Sequence, residues 1–172
     1  RIGHVYAAQL EDSAQAVAAY RDVLAIRMNH NEAIVCLQGI FDSGHHQVEI
    51  GELLEPIYVE QNDSPKLDAL LTALLPFAGQ GDDRSAALHR LARLNITELD
   101  NPDRAFDWYA EAVRTYPGDE DARSEATKLA EATGRWSDLA NLFADVLERS
   151  EDIELSRTMS LELATVYRTQ LD

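Results

Sequence analysis

Lysine is almost missing from this chain. Of its 15 basic residues only Lys66 and Lys128 are lysines, and against them stand 31 aspartates and glutamates, a formal net charge of −16 over 172 residues. So acidic a surface repels nucleic acid and has few cations with which to displace counterions, so a nucleic-acid partner is excluded. An anionic membrane surface is disfavoured for the same reason. The lone Cys36 rules out an internal disulfide and any multi-cysteine zinc site. No apolar run approaches the roughly 20 residues that a membrane span needs, so no membrane insertion is expected. Five prolines and eight glycines are too few for a low-complexity or disordered chain. The compartment stays open, with the cytoplasm as the default, because the sequence starts at Arg1 rather than at a methionine.

What is there is helix. Apolar residues recur with a period near 3.6 through most of the chain, and strand-like alternation is almost absent. The pattern predicts ten helices, over about 1–10, 13–28, 31–43, 46–61, 64–78, 84–99, 102–116, 119–133, 136–149 and 154–171. Turn chemistry separates them: Ser64-Pro65 and Asn101-Pro102 start helices, Pro117-Gly118 stops one, and Gly44 and Gly134 sit where helices end. Ser13, Asp119 and Ser137 are expected N-caps, each close to acids that suit a helix N-terminus.

The sequence also repeats itself. "LEDSAQAVAAYRDV" at 10–23 overlays "LDNPDRAFDWYAEA" at 99–112 with a shift of 89, which brings Leu10 onto Leu99, Ala16 onto Ala105 and Tyr20 onto Tyr109. The same shift carries Ile50, Leu53, Leu54 and Ile57 onto Leu139, Leu142, Phe143 and Val146, one helical face onto another. A second match, "ALHRLARLNITELD" at 87–100 on "MSLELATVYRTQLD" at 159–172, has a shift of 72. The two shifts differ by about one helix, so an irregular extra helix is expected near 31–47. Both ends of the chain read as cut from a longer array.

These units resemble the tetratricopeptide repeat (TPR) family of stacked helix-turn-helix units about 34 residues long. "IGHVY" at 2–6 is similar to the family's first-helix signature, and Ala105, Tyr109, Ala112 and Pro117 stand at the spacing of its second-helix positions. Ala130, Gly134, Leu139, Phe143 and Val146 continue the likeness, as do Leu54, Tyr58, Leu67, Leu71 and Leu74 in a unit spanning 46–78. The resemblance implies an all-α, right-handed α-solenoid running through 1–172 as one TPR-like domain. It also implies which positions line a concave face: His4, His89, Arg93, Lys128, Glu131 and Arg168, with Glu49, Glu52, Val59, Asp121, Ser124 and Thr165 beside them. Arg93, Lys128 and Arg168 would then form a basic line across successive units, able to hold the carboxylates of an acidic peptide. The plainer reading of those cations is solvated charge paired with nearby acids. The family's clamp for chaperone tails adds groove asparagines, and none stands at the matching positions here.

Other clusters carry less. "DSGHHQVE" at 42–49 holds Asp42, His45, His46 and Glu49, all zinc-ligand types, but no histidine pair at i, i+4 shares a helix face, and a solvated turn is expected. Cys36, among Ile34, Val35 and Leu37, reads as an inert thiol. "GQGDD" at 79–83 follows a helix and is rich in acids, unlike a phosphate-binding loop. No metal, cofactor or catalytic residue is therefore expected, nor enzymatic activity. The sequence reads as a protein-interaction scaffold that docks a protein or peptide partner. The alternatives are a structural spacer in a larger repeat protein, or the regulatory repeats of a multidomain enzyme. Uncovered stacking faces at the ends would also allow end-to-end self-association. Trp108, off the apolar stripe and matched by Ala19 in the first copy, is the one aromatic of 99–122 left without a packing role.

Overall fold

The computed structural model describes residues 13–170, and all regular structure among them is helical. Nine α-helices follow in order among the described residues: α1 (Ser13–Ile26), α2 (Asn31–Asp42), α3 (Gln47–Glu60), α4 (Ser64–Leu74), α5 (Asp82–Thr97), α6 (Pro102–Thr115), α7 (Glu120–Thr133), α8 (Trp136–Arg149) and α9 (Ile153–Gln170), with a 3-10 turn at Leu75–Phe77. The expected helix over 1–10, and His4 with it, lies outside the described residues. The others begin and end within a few residues of the sequence pattern.

Local chemistry explains those limits. Asn101 accepts a hydrogen bond from the Arg104 N–H at 3.1 Å ahead of Pro102, and Asp63 accepts one from the Lys66 N–H at 3.2 Å ahead of Pro65. Proline in the first turn loses no helical hydrogen bond. Asp119 caps α7 through the Ala122 N–H at 2.9 Å, as expected. Ser137 does not cap α8. Gly134, at φ 73°, already ends α7 in the left-handed region, so Arg135 alone links the helices and takes the cap position, and α8 starts at Trp136.

The helices fall into two compact units dividing between Phe77 and Ala78. In the first, α1 packs on α2, α2 on α3 and α3 on α4. In the second, neighbours from α5 to α9 pack in the same sequential way, and α6 also reaches α8. Each unit has its own core. Ala16, Val17, Leu37, Ile50, Leu54 and Ile57 are buried in the first, and Ala105, Phe106, Tyr109, Leu139, Phe143 and Met159 in the second.

The 89-residue correspondence extends to detail. His30 and Asp119, 89 apart, cap α2 and α7, each accepting from the backbone N–H three residues on, Ala33 and Ala122. His46 and Arg135, again 89 apart, hold the cap positions of α3 and α8. His46 Nε2 lies 3.1 Å from Ser13 Oγ at the start of α1, and Arg135 donates to the Asp103 carbonyl at the start of α6 at 3.0 Å. Helix 31–43 therefore corresponds to 119–133 in both spacing and cap. Five helices separate equivalent positions. Glu49, Glu52 and Val59 lie on α3, which corresponds to α8 under the same shift.

Ala16 and Ala105 have no solvent exposure, and Tyr20 and Tyr109 are buried one turn later. A side chain larger than methyl at either alanine must displace a packed neighbour. Ala105→Leu is expected to destabilise the protein by roughly 1–3 kcal/mol through overpacking. A chemical-denaturation midpoint equal to that of the wild type would contradict this packing.

Candidate functional site

The second unit places the sequence-derived groove residues along α5, α7 and α9. A groove of about 600 Å³ is lined by Asp82, Ser85, Ala86, His89, Arg90 and Arg93 of α5 with Asp119 and Asp121 at the start of α7. A second groove, of about 630 Å³, is lined by Glu120, Arg123, Ser124, Thr127 and Lys128 of α7 and by Leu161, Glu162, Thr165, Val166, Thr169 and Gln170 of α9, with Trp136 and Phe143 of α8. A shift of 34 carries Ala86, His89, Arg90 and Arg93 onto Glu120, Arg123, Ser124 and Thr127. It is the spacing that brings Tyr109 onto Phe143. One wall of each groove is thus equivalent, α5 in the first and α7 in the second, whereas the opposite walls differ.

A polar tie crosses the base of the first groove. His89 Nε2 lies 2.7 Å from Asp119 Oδ2, both side chains about one-sixth exposed, and Ser85 Oγ donates to the same oxygen at 3.0 Å. Nε2 must carry a proton to bond a carboxylate in this way. The Tyr109 ring meets the His89 ring edge-on, centroids 5.3 Å apart. Burial by itself would raise the Asp119 pKa; the hydrogen bonds from His89, the Ala122 N–H and Ser85 outweigh it and hold the carboxyl below its ordinary value. Burial pushes the Tyr109 phenol up, against the Arg93 guanidinium that interacts with its hydroxyl. Serine, histidine and aspartate meet here without forming a nucleophilic triad, because the Ser85 hydroxyl is bound to the carboxylate rather than to the imidazole. One carboxylate joins α5 to α7 and caps α7 as well.

Of the expected basic line, Arg93 is exposed beside Tyr109, and Lys128 is exposed and paired with Glu125 at 2.7 Å. Arg168 and Glu131 are exposed on α9 and α7 but line neither groove. Asp121 lines the first groove and Ser124 and Thr165 the second. Carboxylates share both walls, so neither groove is strongly cationic. In the second, the buried Arg123 donates to the Pro117 carbonyl, and its Nε lies 3.3 Å from Glu162 Oε2 of α9.

The remaining candidates resolve into local structure. His45 bonds Ser43 at 3.0 Å, His46 bonds Ser13 and lies 3.4 Å from Glu49, and Glu49 also pairs with Arg21. Among the described residues no three His, Cys, Asp or Glu side chains converge to hold a metal. Cys36 is half-buried and in contact with the Tyr20 hydroxyl. The glycines of "GQGDD" make the turn before α5, with Gly79 and Gly81 at positive φ. Trp108 packs against Arg104, whose guanidinium carbon is 5.6 Å from the ring centroid, away from both grooves.

Two features had no sequence signal. Asp103 and Asp107 converge on Arg135, 4.0 and 2.8 Å away, while Asp138 binds it at 2.7 Å and the Phe106 ring lies 4.2 Å beneath. The tie between His89 and Asp119 spans 30 residues. The N-cap pattern at Asp119 was visible; its second partner was not.

No protein-family model matches the chain, and a comparison with curated proteins returns no match.

The depressed pKa of Asp119 sets a pH window. Its contribution to stability is fully present above the unfolded carboxylate value, about 3.9, and is lost as pH falls through the lower folded value. Asp119→Ala is expected to cost about 1–2 kcal/mol at pH 7, and this difference should shrink below about pH 4. Denaturant melts of both proteins between pH 2 and pH 7 check it; a constant difference over that range would contradict the assignment.

Proposed function

We propose that the chain is a TPR-like α-solenoid segment that acts, without enzymatic activity, as a protein-interaction scaffold. A partner peptide or helix docks along the first helices of the repeats, α5, α7 and α9. The observation that carries this reading is the pair of grooves, each some 600 Å³, that share α7 and have one register-equivalent wall each. An elongated ligand along these helices meets both grooves, which suits an extended peptide or a helix better than a compact small molecule. Mixed charge on both walls supports recognition by alternating polar contacts, with Arg93 and Lys128 as the exposed cations. The second groove adds an apolar floor from Trp136, Phe143, Leu161 and Val166, suited to a hydrophobic anchor.

The spacer reading has one observation in its favour. Arg93 and Lys128 already have neighbours in Tyr109 and Glu125, and exposed pairs of this kind contribute little binding energy. A charge reversal separates the two. Arg93→Glu/Lys128→Glu alters exposed side chains and should leave the thermal melt within about 1 kcal/mol of the wild type. In quantitative affinity capture from the native host's lysate, at least one partner held by the wild-type chain should lose about tenfold or more of its occupancy. An unchanged set of bound proteins would overturn docking on this face and favour the spacer.

A further inference from the structure

A smaller pocket of about 220 Å³ opens at the ends of α6 and α8, lined by Arg114, Pro117, Asp145, Val146, Arg149 and Ser150. Arg114 stands in the last turn of α6 and Arg149 in the last turn of α8. A basic residue there suits the helix dipole, which would account for an arginine at either end taken singly. It does not account for two at one pocket. Moved back by 89, the same places in the first unit hold Ala25, Met28, Pro56, Ile57, Glu60 and Gln61, and neither α1 nor α3 has a basic residue in its last turn. The fold closes these helix ends without cations.

The arginines are only lightly engaged by neighbours. Arg114 approaches Glu111 only to 3.7 Å, with its side chain 48% exposed. Asp145 stands one turn before Arg149, yet no hydrogen bond or ion pair engages Arg149 among the described residues. In a chain of net charge −16, two guanidiniums stand in the lining of one pocket that holds a single carboxylate, Asp145. Pro117 and Val146 supply apolar lining, and Ser150 a hydroxyl.

We infer that this pocket binds a single carboxylate on a short aliphatic stem, the size of an aspartate or glutamate side chain, with Arg114 and Arg149 as its anchors. Two guanidinium forks match the geometry of a carboxylate. The stem lies against Pro117 and Val146. A phosphate dianion suits the site less, because Asp145 and the terminal carbonyls of α6 and α8 oppose a second negative charge. The site is separate from the grooves along α5, α7 and α9, so its loss leaves docking there untouched.

The test is a titration of the whole ¹⁵N-labelled chain, followed by amide and arginine side-chain NMR shifts. One arm uses N-acetylglutamate N-methylamide, a second a short peptide with one internal glutamate, and these separate a free acid from a chain segment. The glutamine analogue of each and inorganic phosphate serve as controls. Saturable shifts at Val146, Arg149 and Ser150 with either acid support the site. Arg114→Gln/Arg149→Gln should weaken that binding at least about tenfold, with unchanged spectral dispersion elsewhere. Sodium chloride should weaken it as well. The inference is overturned by the absence of saturable shifts, by an equal response to the glutamine analogue, by tighter binding of phosphate, or by undiminished binding in the double variant.

Discussion

The packing of neighbouring helices in both units buries an alanine completely, with a tyrosine buried one turn later. Ala16 and Ala105 are fully buried, and Tyr20 and Tyr109 fill the space one turn further on. In the second unit this arrangement carries into the candidate site. Tyr109 is held by α6 against the His89 ring of α5, and His89 in turn meets Asp119 at the head of α7. Groove walls on α5 and α7 are therefore set by the packing beneath them. A bulkier residue at 105 would move the tyrosine, and with it the histidine that joins α5 to α7.

The second constraint is charge. With 31 carboxylates and 15 basic residues, helices can stack only where acids have been given work or turned outward. Asp63 and Asp119 cap helices, and Asp152 accepts from the Glu154 and Leu155 N–H groups at the start of α9. Asp103, Asp107 and Asp138 gather on Arg135, whose guanidinium also lies over Phe106. Acids that cap or pair are thereby removed from the balance of the surface. Where two cations share one pocket, as at Arg114 and Arg149, their position carries more information than the same residues would in a neutral protein.

Helix positions were legible because they depend on local chemistry: 3.6-residue periodicity, proline in the first turn, glycine after the last. The 89-residue correspondence was legible too, since equivalent core positions keep equivalent side chains. Its extension to the caps was not. The shift matched 31–43 to 119–133, and only the structure shows that α2 packs on α1 and α3 and carries the matching cap. The groove was legible in part. His89, Arg93, Asp121, Ser124, Lys128 and Thr165 do line the two grooves, whereas Arg168 and Glu131 are exposed outside them, because helix register fixes a face while groove depth depends on the adjacent helix.

By itself the sequence determined that this is an all-helical, strongly acidic chain with an internal repeat. Those properties follow from residue types and short-range spacing, and no distant contact alters them. Tertiary structure alone decided which acids became structural and which cations came together. Ser85 and His89 reach Asp119 across some 30 residues, Arg135 collects Asp103 and Asp107 from a helix away, and Arg114 and Arg149 meet at one pocket from the ends of two helices. Charges separated by one or more whole helices in sequence become neighbours only when apolar stripes have already brought those helices together. Nothing in local spacing records which of them will meet.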